Sequence, residues 1–263
     1  MTEPPLLIAM PTCGQIATPT VKSLITLTQA LGERGHPFAF ATYEFSDIVF
    51  SRNQLMSRFY SDERYQMLLF IDSDMEFAPE AFFRLLAFDE PVTAAAYPQK
   101  HPEWARLRVL IEAEAERPPD ERMPLEDLVA RAWIYNHQIG GYDGQPWSPS
   151  RRGGFITVPS AGTGFMLIHR SVPERMVATG AAPRRRRHEV HQIGDLRYHD
   201  FFSHRVSADD GFIFGEDQSF CHRWTEACDG EIWLDCESVI THWGQKSFPG
   251  RYAARVDEDF PET

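Results

Sequence analysis

The chain has 263 residues, 43% of them hydrophobic, and a formal net charge of −12 from 26 basic and 38 acidic side chains. This apolar content can bury one sizeable core, whereas the negative charge disfavours a dedicated nucleic-acid-binding protein. No export signal and no apolar run of roughly 20 residues occurs, so we expect a cytoplasmic protein without a transmembrane segment.

The first hundred residues alternate between short apolar runs and amphipathic stretches. The runs predict strands at 6–10, 38–42, 66–72 and 92–97, and the stretches predict helices at 20–31, 47–60 and 79–88. Such alternation is typical of an α/β fold with a mostly parallel sheet. Ligands of these sheets bind beyond the carboxyl ends of the strands.

The rest of the chain is less regular. Residues 101–149 are rich in charge, Pro and Gly, and their clearest predicted helix is 125–135. Further predicted elements are strands at 155–158, 164–169, 232–235 and 239–242 and helices at 171–179 and 216–227. Within the long polar segment 181–210, the run Arg184–Arg187 is either a solvated loop or a clamp for an anion.

A pair of aspartates follows the most apolar predicted strand. Asp72 and Asp74 are separated by Ser73, so their side chains point the same way in an extended chain. Two convergent carboxylates suit a hard divalent cation, Mg²⁺ or Mn²⁺, which can bridge a diphosphate. An ordinary polar turn at a strand end has the same sequence, so the motif alone leaves both interpretations open.

Two later segments place titratable side chains at the ends of predicted elements. Glu216 and Asp217 open a helix, where they are either capping residues or a carboxylate base that deprotonates an acceptor hydroxyl. His242 ends a strand, and its neutral imidazole would suit a third ligand beside Asp72 and Asp74. A lone histidine at such a position is more often structural.

The small residues Gly162, Thr163 and Gly164 precede another predicted strand. Small residues there would let a ligand approach the backbone closely. The lysine and the spacing of a phosphate-binding P-loop are missing, so this segment is weak evidence by itself.

In chain order, these segments resemble the motifs of GT-A glycosyltransferases, in particular the large inverting family 2 and the related Anp1-type mannosyltransferases. The matching residues are Pro11-Thr12, Arg52-Asn53, Asp72-Ser73-Asp74, Gly162-Thr163-Gly164-Phe165, Glu216-Asp217 and His242. The resemblance implies a GT-A fold, with a Rossmann-like, mostly parallel central sheet flanked by helices and a small second antiparallel element.

The resemblance also implies roles for the matching residues. Asp74 would bind Mn²⁺ or Mg²⁺ directly, Asp72 would bind the ion or the ribose, and His242 would complete the metal shell. Asp217 would be the catalytic base, with Glu216 as its neighbour or substitute.

On the donor side, the resemblance implies a nucleotide-sugar site built by residues of the first half and by the glycine segment. Pro11, Thr12 and either Glu44 or Asp47 would border the nucleotide base, and Arg52 would touch the donor or its diphosphate. The remaining donor-site residues would be Asn53, Ser73, Gly162, Thr163 and Gly164.

The implied organisation is a single catalytic domain over residues 1–250 and an acidic tail at 251–263. Within the domain, 6–100 would bind the nucleotide sugar, 150–245 would carry the acceptor and catalytic functions, and 180–210 would be a mobile loop. The predicted reaction transfers a sugar from a UDP- or GDP-linked donor to an acceptor hydroxyl, with inversion expected and Asp217 as the base.

Two alternatives stay open. A nucleotidyltransferase of similar fold would normally carry a Gly-rich loop with Lys or Arg after the first strand, whereas Cys13-Gly14-Gln15 has one glycine and no cation. The other alternative is a non-catalytic nucleotide-sugar-binding protein. The sequence leaves open the oligomeric state and whether the acceptor is a glycan, lipid, protein, small molecule or modified nucleic acid.

Overall fold

The computed structural model describes residues 4–138, 148–186, 196–208 and 210–244. The strands are β1 Leu6–Thr12, β2 Phe38–Glu44, β3 Met67–Ile71, β4 Met75–Phe77, β5 Val92–Ala95, β6 Pro98–Pro102, β7 Trp133–Tyr135, β8 His137–Gln138, β9 Arg151–Arg152, β10 Phe155–Thr157, β11 Ser160–Ala161, β12 Phe165–His169, β13 Trp233–Asp235 and β14 Ile240–His242. The α-helices are α1 Thr18–Glu33, α2 Ile48–Ser61, α3 Pro79–Phe88, α4 Trp104–Ala115, α5 Leu125–Ala132, α6 Ser171–Ala178 and α7 Glu216–Cys228.

Eight strands form the central sheet in the order β2-β1-β3-β12-β5-β13-β10-β9. Strands β12 and β10 are antiparallel to both of their neighbours, so the other six strands run in one direction. Three two-stranded pairs, β11-β8, β14-β4 and β6-β7, are all antiparallel. The prediction of an α/β fold with a mostly parallel central sheet and small antiparallel elements is confirmed.

The centre of this sheet is buried on both faces. Along β1, Leu7 and Ala9 belong to one hydrophobic cluster, whereas Leu6 and Ile8 belong to a second one on the opposite face. Both faces of the strand are therefore apolar, which explains why its sequence is a continuous apolar run and does not alternate.

The helices follow the predicted pattern except in the middle of the chain. Asp47 caps α2 by accepting a hydrogen bond from the Phe50 N–H at 3.2 Å. Helix α4 was not predicted, because Leu107 is its one buried residue and its apolar periodicity is weak. The helix predicted over 125–135 ends at Ala132, where β7 begins. In the described ranges, no helix is both long and apolar enough to cross a bilayer.

Part of the segment predicted as a mobile loop packs into the core. Phe201 and Phe202 are fully buried, and their N–H groups donate to the Asn53 side-chain oxygen at 2.7 and 2.9 Å. Through these hydrogen bonds Asn53 anchors the segment to α2, and its predicted place in the donor site stays a prediction. The remaining parts of the predicted loop, 187–195 and Asp209, and the predicted tail 251–263 lie outside the described residues.

Candidate active site

Arg52 links two of the predicted motifs. Helix α2 buries this side chain, which is only 2% exposed. Its Nη2 donates to both carboxylate oxygens of Asp72, at 2.9 and 3.1 Å, and its Nε lies 3.5 Å from Glu216 Oε1. The guanidinium thus joins the end of β3 to the start of α7. Arg52 was predicted to touch the donor; in the structure it contacts carboxylates of two motifs, and its donor contact stays a prediction.

The carboxylate of Asp72 is held by this pairing. Burial is the largest influence and raises the pKa of Asp72, while attraction to Arg52 works in the opposite direction. Within the parts of the chain that the structure describes, no three His, Cys, Asp or Glu side chains converge closely enough to hold a metal ion. The three predicted ligands Asp72, Asp74 and His242 thus do not form a ready-made shell in the described residues, and their metal role stays a prediction.

Asp74 and His242 do come together. His242 Nε2 lies 3.5 Å from Asp74 Oδ2, and His242 Nδ1 donates to the Pro98 carbonyl at 3.0 Å. Because the carbonyl fixes the proton on Nδ1, a neutral His242 presents the lone pair of Nε2 toward Asp74. The strand pair β14-β4 produces this meeting, since His242 is in register with Met75 and the Trp243 N–H donates to the Asp74 carbonyl at 2.8 Å.

A lysine also contacts Asp74. Lys100 Nζ lies 2.7 Å from Asp74 Oδ2, and the side chains of Lys100 and Asp74 are 44% and 32% exposed. Burial alone would raise the pKa of Asp74, but contacts with His242 in its protonated form and with Lys100 outweigh it and lower this pKa below its ordinary value. Asp74 is therefore an ionised carboxylate at neutral pH.

These residues face a cleft of about 260 Å³ at the carboxyl ends of β1 and β3. Its lining is Pro11, Thr12, Cys13, Phe45, Ser46, Ile48, Asp72, Ser73, Asp74 and His242. Most of the predicted donor-site residues of the first half thus share one cleft. Neither candidate for the base contact belongs to this lining, since Glu44 is exposed beside Thr12 and Asp47 caps α2.

The glycine segment packs closely against Tyr97. A Cβ at Gly164 would lie 2.8 Å from the Tyr97 hydroxyl oxygen, and a Cβ at Gly162 would overlap the same hydroxyl. The Gly164 N–H donates to this oxygen at 3.1 Å, and Thr163 is fully buried. The two glycines therefore make room for Tyr97, and their contact with a donor stays a prediction.

Asp217 lies in a second cleft, of about 570 Å³. Burial raises the pKa of Asp217 to about 6, the charge of Glu216 adds to the increase, and attraction to Arg52 opposes it. A carboxyl group with this pKa is ionised at neutral pH yet basic enough to accept a proton from a hydroxyl during a reaction.

The lining of this larger cleft comes mostly from outside the predicted motifs. It consists of Gln99, Tyr135, Asn136, His137, Ser160, Ala161, Gly162, Asp210, Phe212, Phe214, Gly215, Asp217 and Gln218. Sequence reasoning missed Gln99, Asn136, Lys100 and Tyr97. All four belong to or directly flank β6 and β7, two paired strands that the sequence did not predict, and this pairing brings them to the site.

No protein-family model matches the chain, and no curated protein matches its sequence. Among solved structures, A197 from STIV aligns with 93% of this chain and 87% of its own, at 14% identity and a TM-score of 0.48. GalNAc-T7, solved with UDP, GalNAc and Mn²⁺, aligns with 91% of this chain and 44% of its own, at 12% identity and a TM-score of 0.44.

A third structure, a Drosophila beta-1,4-galactosyltransferase 7 mutant with manganese, UDP-Gal and xylobiose, aligns with 95% of this chain and 79% of its own, at 11% identity and a TM-score of 0.39. Glycosyltransferases are therefore among the structures that this chain resembles. At these identities and TM-scores, the function has to be argued from the site itself.

Proposed function

We propose that the chain is a metal-dependent glycosyltransferase that moves a sugar from a UDP- or GDP-linked donor to an acceptor hydroxyl. One arrangement carries this proposal. Asp74 Oδ2 and His242 Nε2 lie 3.5 Å apart in one cleft, and Asp217, whose pKa is raised, lies in a second cleft. Arg52 connects the two regions, because it contacts the carboxylates of both Asp72 and Glu216. A site for the leaving diphosphate thus lies close to a site for the base.

The residues at Asp74 fit a divalent ion with two protein ligands. Asp74 offers an ionised oxygen and His242 an oriented imidazole nitrogen, while water and donor phosphates would supply the other positions, as is usual for Mg²⁺. The ion pair between the Lys100 ammonium group and Asp74, at 2.7 Å, supports the choice of Asp74 as the residue that binds a cation. A bound Mn²⁺ or Mg²⁺ would neutralise charge on the departing diphosphate.

The cleft at Asp74 and the cleft at Asp217 then have different roles in the reaction. Pro11, Thr12 and Ser73 would border the nucleotide, and Asp74 and His242 would hold the ion, since all five residues line the same cleft. Asp217 accepts the proton of the attacking acceptor hydroxyl, as a general base does in inverting displacement.

The test is a thermal-shift panel of UDP, GDP and the corresponding nucleotide sugars with Mn²⁺, Mg²⁺ or chelator. We expect a higher melting temperature with one nucleoside diphosphate plus metal, since a ligand that binds only the folded state stabilises it. Asp74→Ala should abolish the metal-dependent part of the shift. No shift with any diphosphate plus metal would refute the proposal.

Binding and catalysis are separated by a second measurement, hydrolysis of the donor in the absence of acceptor. A glycosyltransferase should hydrolyse its true donor slowly, whereas a binding protein would show the thermal shift without release of the nucleoside diphosphate. Asp217→Asn is the matched variant, because it removes the base and leaves Asp74 and His242 intact.

A further inference from the structure

The two clefts of the site are lined by different residues. Among the described residues, the 260 Å³ cleft at Asp74 and the 570 Å³ cleft at Asp217 share no lining residue. In a displacement with inversion, the attacking hydroxyl and the leaving group lie on opposite faces of the reacting carbon. On the proposed function, the donor diphosphate occupies the cleft at Asp74, so the acceptor enters through the cleft at Asp217.

The wall of this acceptor cleft is rich in groups that both donate and accept hydrogen bonds. Gln99, Asn136 and Gln218 contribute carboxamides, and Ser160 contributes a hydroxyl. Sugar hydroxyls have the same dual character, so amides match them in either orientation. The cleft has room for a ligand of ordinary small-molecule size.

Aromatic side chains form another part of the wall. Tyr135, Phe212 and Phe214 line the cleft, and the rings of Phe212 and Phe214 meet edge to face at 5.0 Å. Such rings offer flat apolar surfaces next to the amides. A sugar ring has a similar combination, with apolar C–H faces and a polar rim.

The charges of the cleft are negative. Asp210 and Asp217 are acidic members of the lining, and no lysine or arginine belongs to it within the described parts of the chain. An anionic acceptor would meet these carboxylates without a compensating cation. Arg184, Arg185 and Arg186, which the sequence suggested as an anion clamp, are exposed and are not part of this wall.

We propose that the acceptor is a neutral, hydroxyl-rich molecule, a glycoside without phosphate or carboxylate, which binds in the cleft formed by Gln99, Asn136, Phe212, Phe214 and Asp217. This inference depends on the proposed function, and it selects one of the acceptor classes that the sequence left open. Phosphorylated lipids and nucleic acids are excluded by it.

The experiment is a transfer assay with the full chain, Mn²⁺ and the donor that is hydrolysed fastest. The acceptors are the methyl glycosides of glucose, galactose, mannose and N-acetylglucosamine, each paired with its 6-phosphate. We expect at least one methyl glycoside to be used with a kcat/KM roughly tenfold or more above that of its phosphate, because like charges repel. Preference for the phosphate, or no transfer to any neutral glycoside, would overturn the inference.

A charge-swap variant makes the result specific to the cleft. Gln99→Lys places a cation on the wall and should shift the preference toward the 6-phosphate, whereas the matched control Gln99→Glu should shift it further toward the neutral glycoside. An unchanged preference in both variants would also count against the assignment. Donor hydrolysis distinguishes the two proposals, because its absence with every donor refutes the glycosyltransferase itself.

Discussion

Replacing Lys100 with methionine tests the metal site directly. Because the Lys100 ammonium lies 2.7 Å from Asp74 Oδ2, the oxygen that also faces His242, a divalent ion that binds this oxygen together with His242 has to displace the ammonium group. Both side chains are about a third or more exposed, at 44% and 32%, so the ion pair is worth about 0.2–1 kcal/mol. Lys100→Met should therefore bind Mn²⁺ about 1.4- to 5-fold more tightly.

The assay is a titration of nucleotide-free protein with Mn²⁺, in which binding is detected by calorimetry or by the electron paramagnetic resonance signal of free Mn²⁺. Lys22→Met is a matched control, because it removes one positive charge from an exposed position of α1. The Lys22 variant should bind Mn²⁺ as the wild type does, apart from a small effect of net charge.

Gly244→Ala reaches the same lysine by another route. A Cβ at Gly244 would lie 2.5 Å from Lys100 Cδ, so the alanine should push the lysine stem aside and increase Mn²⁺ affinity while keeping the charge. Weaker Mn²⁺ binding by Lys100→Met would refute the displacement argument. A second outcome would refute the metal proposal itself. In that outcome wild-type protein binds UDP or GDP with chelator as tightly as with Mn²⁺, whereas Lys100→Met loses this binding, so the lysine takes the place of the ion.

Three further predictions concern the centre of the site. Because burial raises the pKa of Asp217 to about 6, kcat/KM should increase with pH and level off above that value. The ionised carboxylate also destabilises the folded state above pH 6, and this destabilisation disappears as the pH falls through 6 toward the unfolded-state pKa of about 3.9. Asp217→Asn should therefore raise the melting temperature more at pH 8 than at pH 5, and an equal rise at both pH values would contradict this. Arg52→Met should lower the free energy of unfolding by about 3 kcal/mol in urea titrations. This value is the low end of the range for breaking a buried ion pair, because the Asp72 side chain is 23% exposed. A decrease of less than about 1 kcal/mol would show that the pair contributes little to stability. Gly162→Ala should lower the free energy of unfolding by about 1–3 kcal/mol in the same titrations, because the alanine methyl group would overlap the Tyr97 hydroxyl. An unchanged urea midpoint would contradict this packing.

Local sequence signals predicted the first half of the fold well. The helix expected at 79–88 has the same bounds in the structure, because Pro79 begins it and its buried face, Ala81, Phe82 and Leu85, is periodic. Strand β3 and the aspartates after it were also predicted, since a strand buried on both faces reads as an unbroken apolar run.

The roles of individual polar residues could not be predicted, because they depend on partners far away in sequence. Arg52 and Asn53 resemble donor-site residues, yet one holds Asp72 and the other holds the backbone of Phe201 and Phe202. Lys100 carried no signal, because its contact with Asp74 depends on how β6 is placed. The division into functional halves and the cytoplasmic location stay predictions.

The order of strands in the sheet has a consequence for how the chain is made. Strands β1, β2 and β3 can pair as soon as they leave the ribosome, but β5 contacts β3 only through β12, which is synthesised about 70 residues later. A nascent chain ending near residue 150 would thus contain the three-stranded piece β2-β1-β3 with an unpaired β3 edge, and β5 without either of its partner strands. We expect truncated products of this length to need chaperones or to aggregate, and a split of the gene at this point to yield fragments that become ordered only when combined.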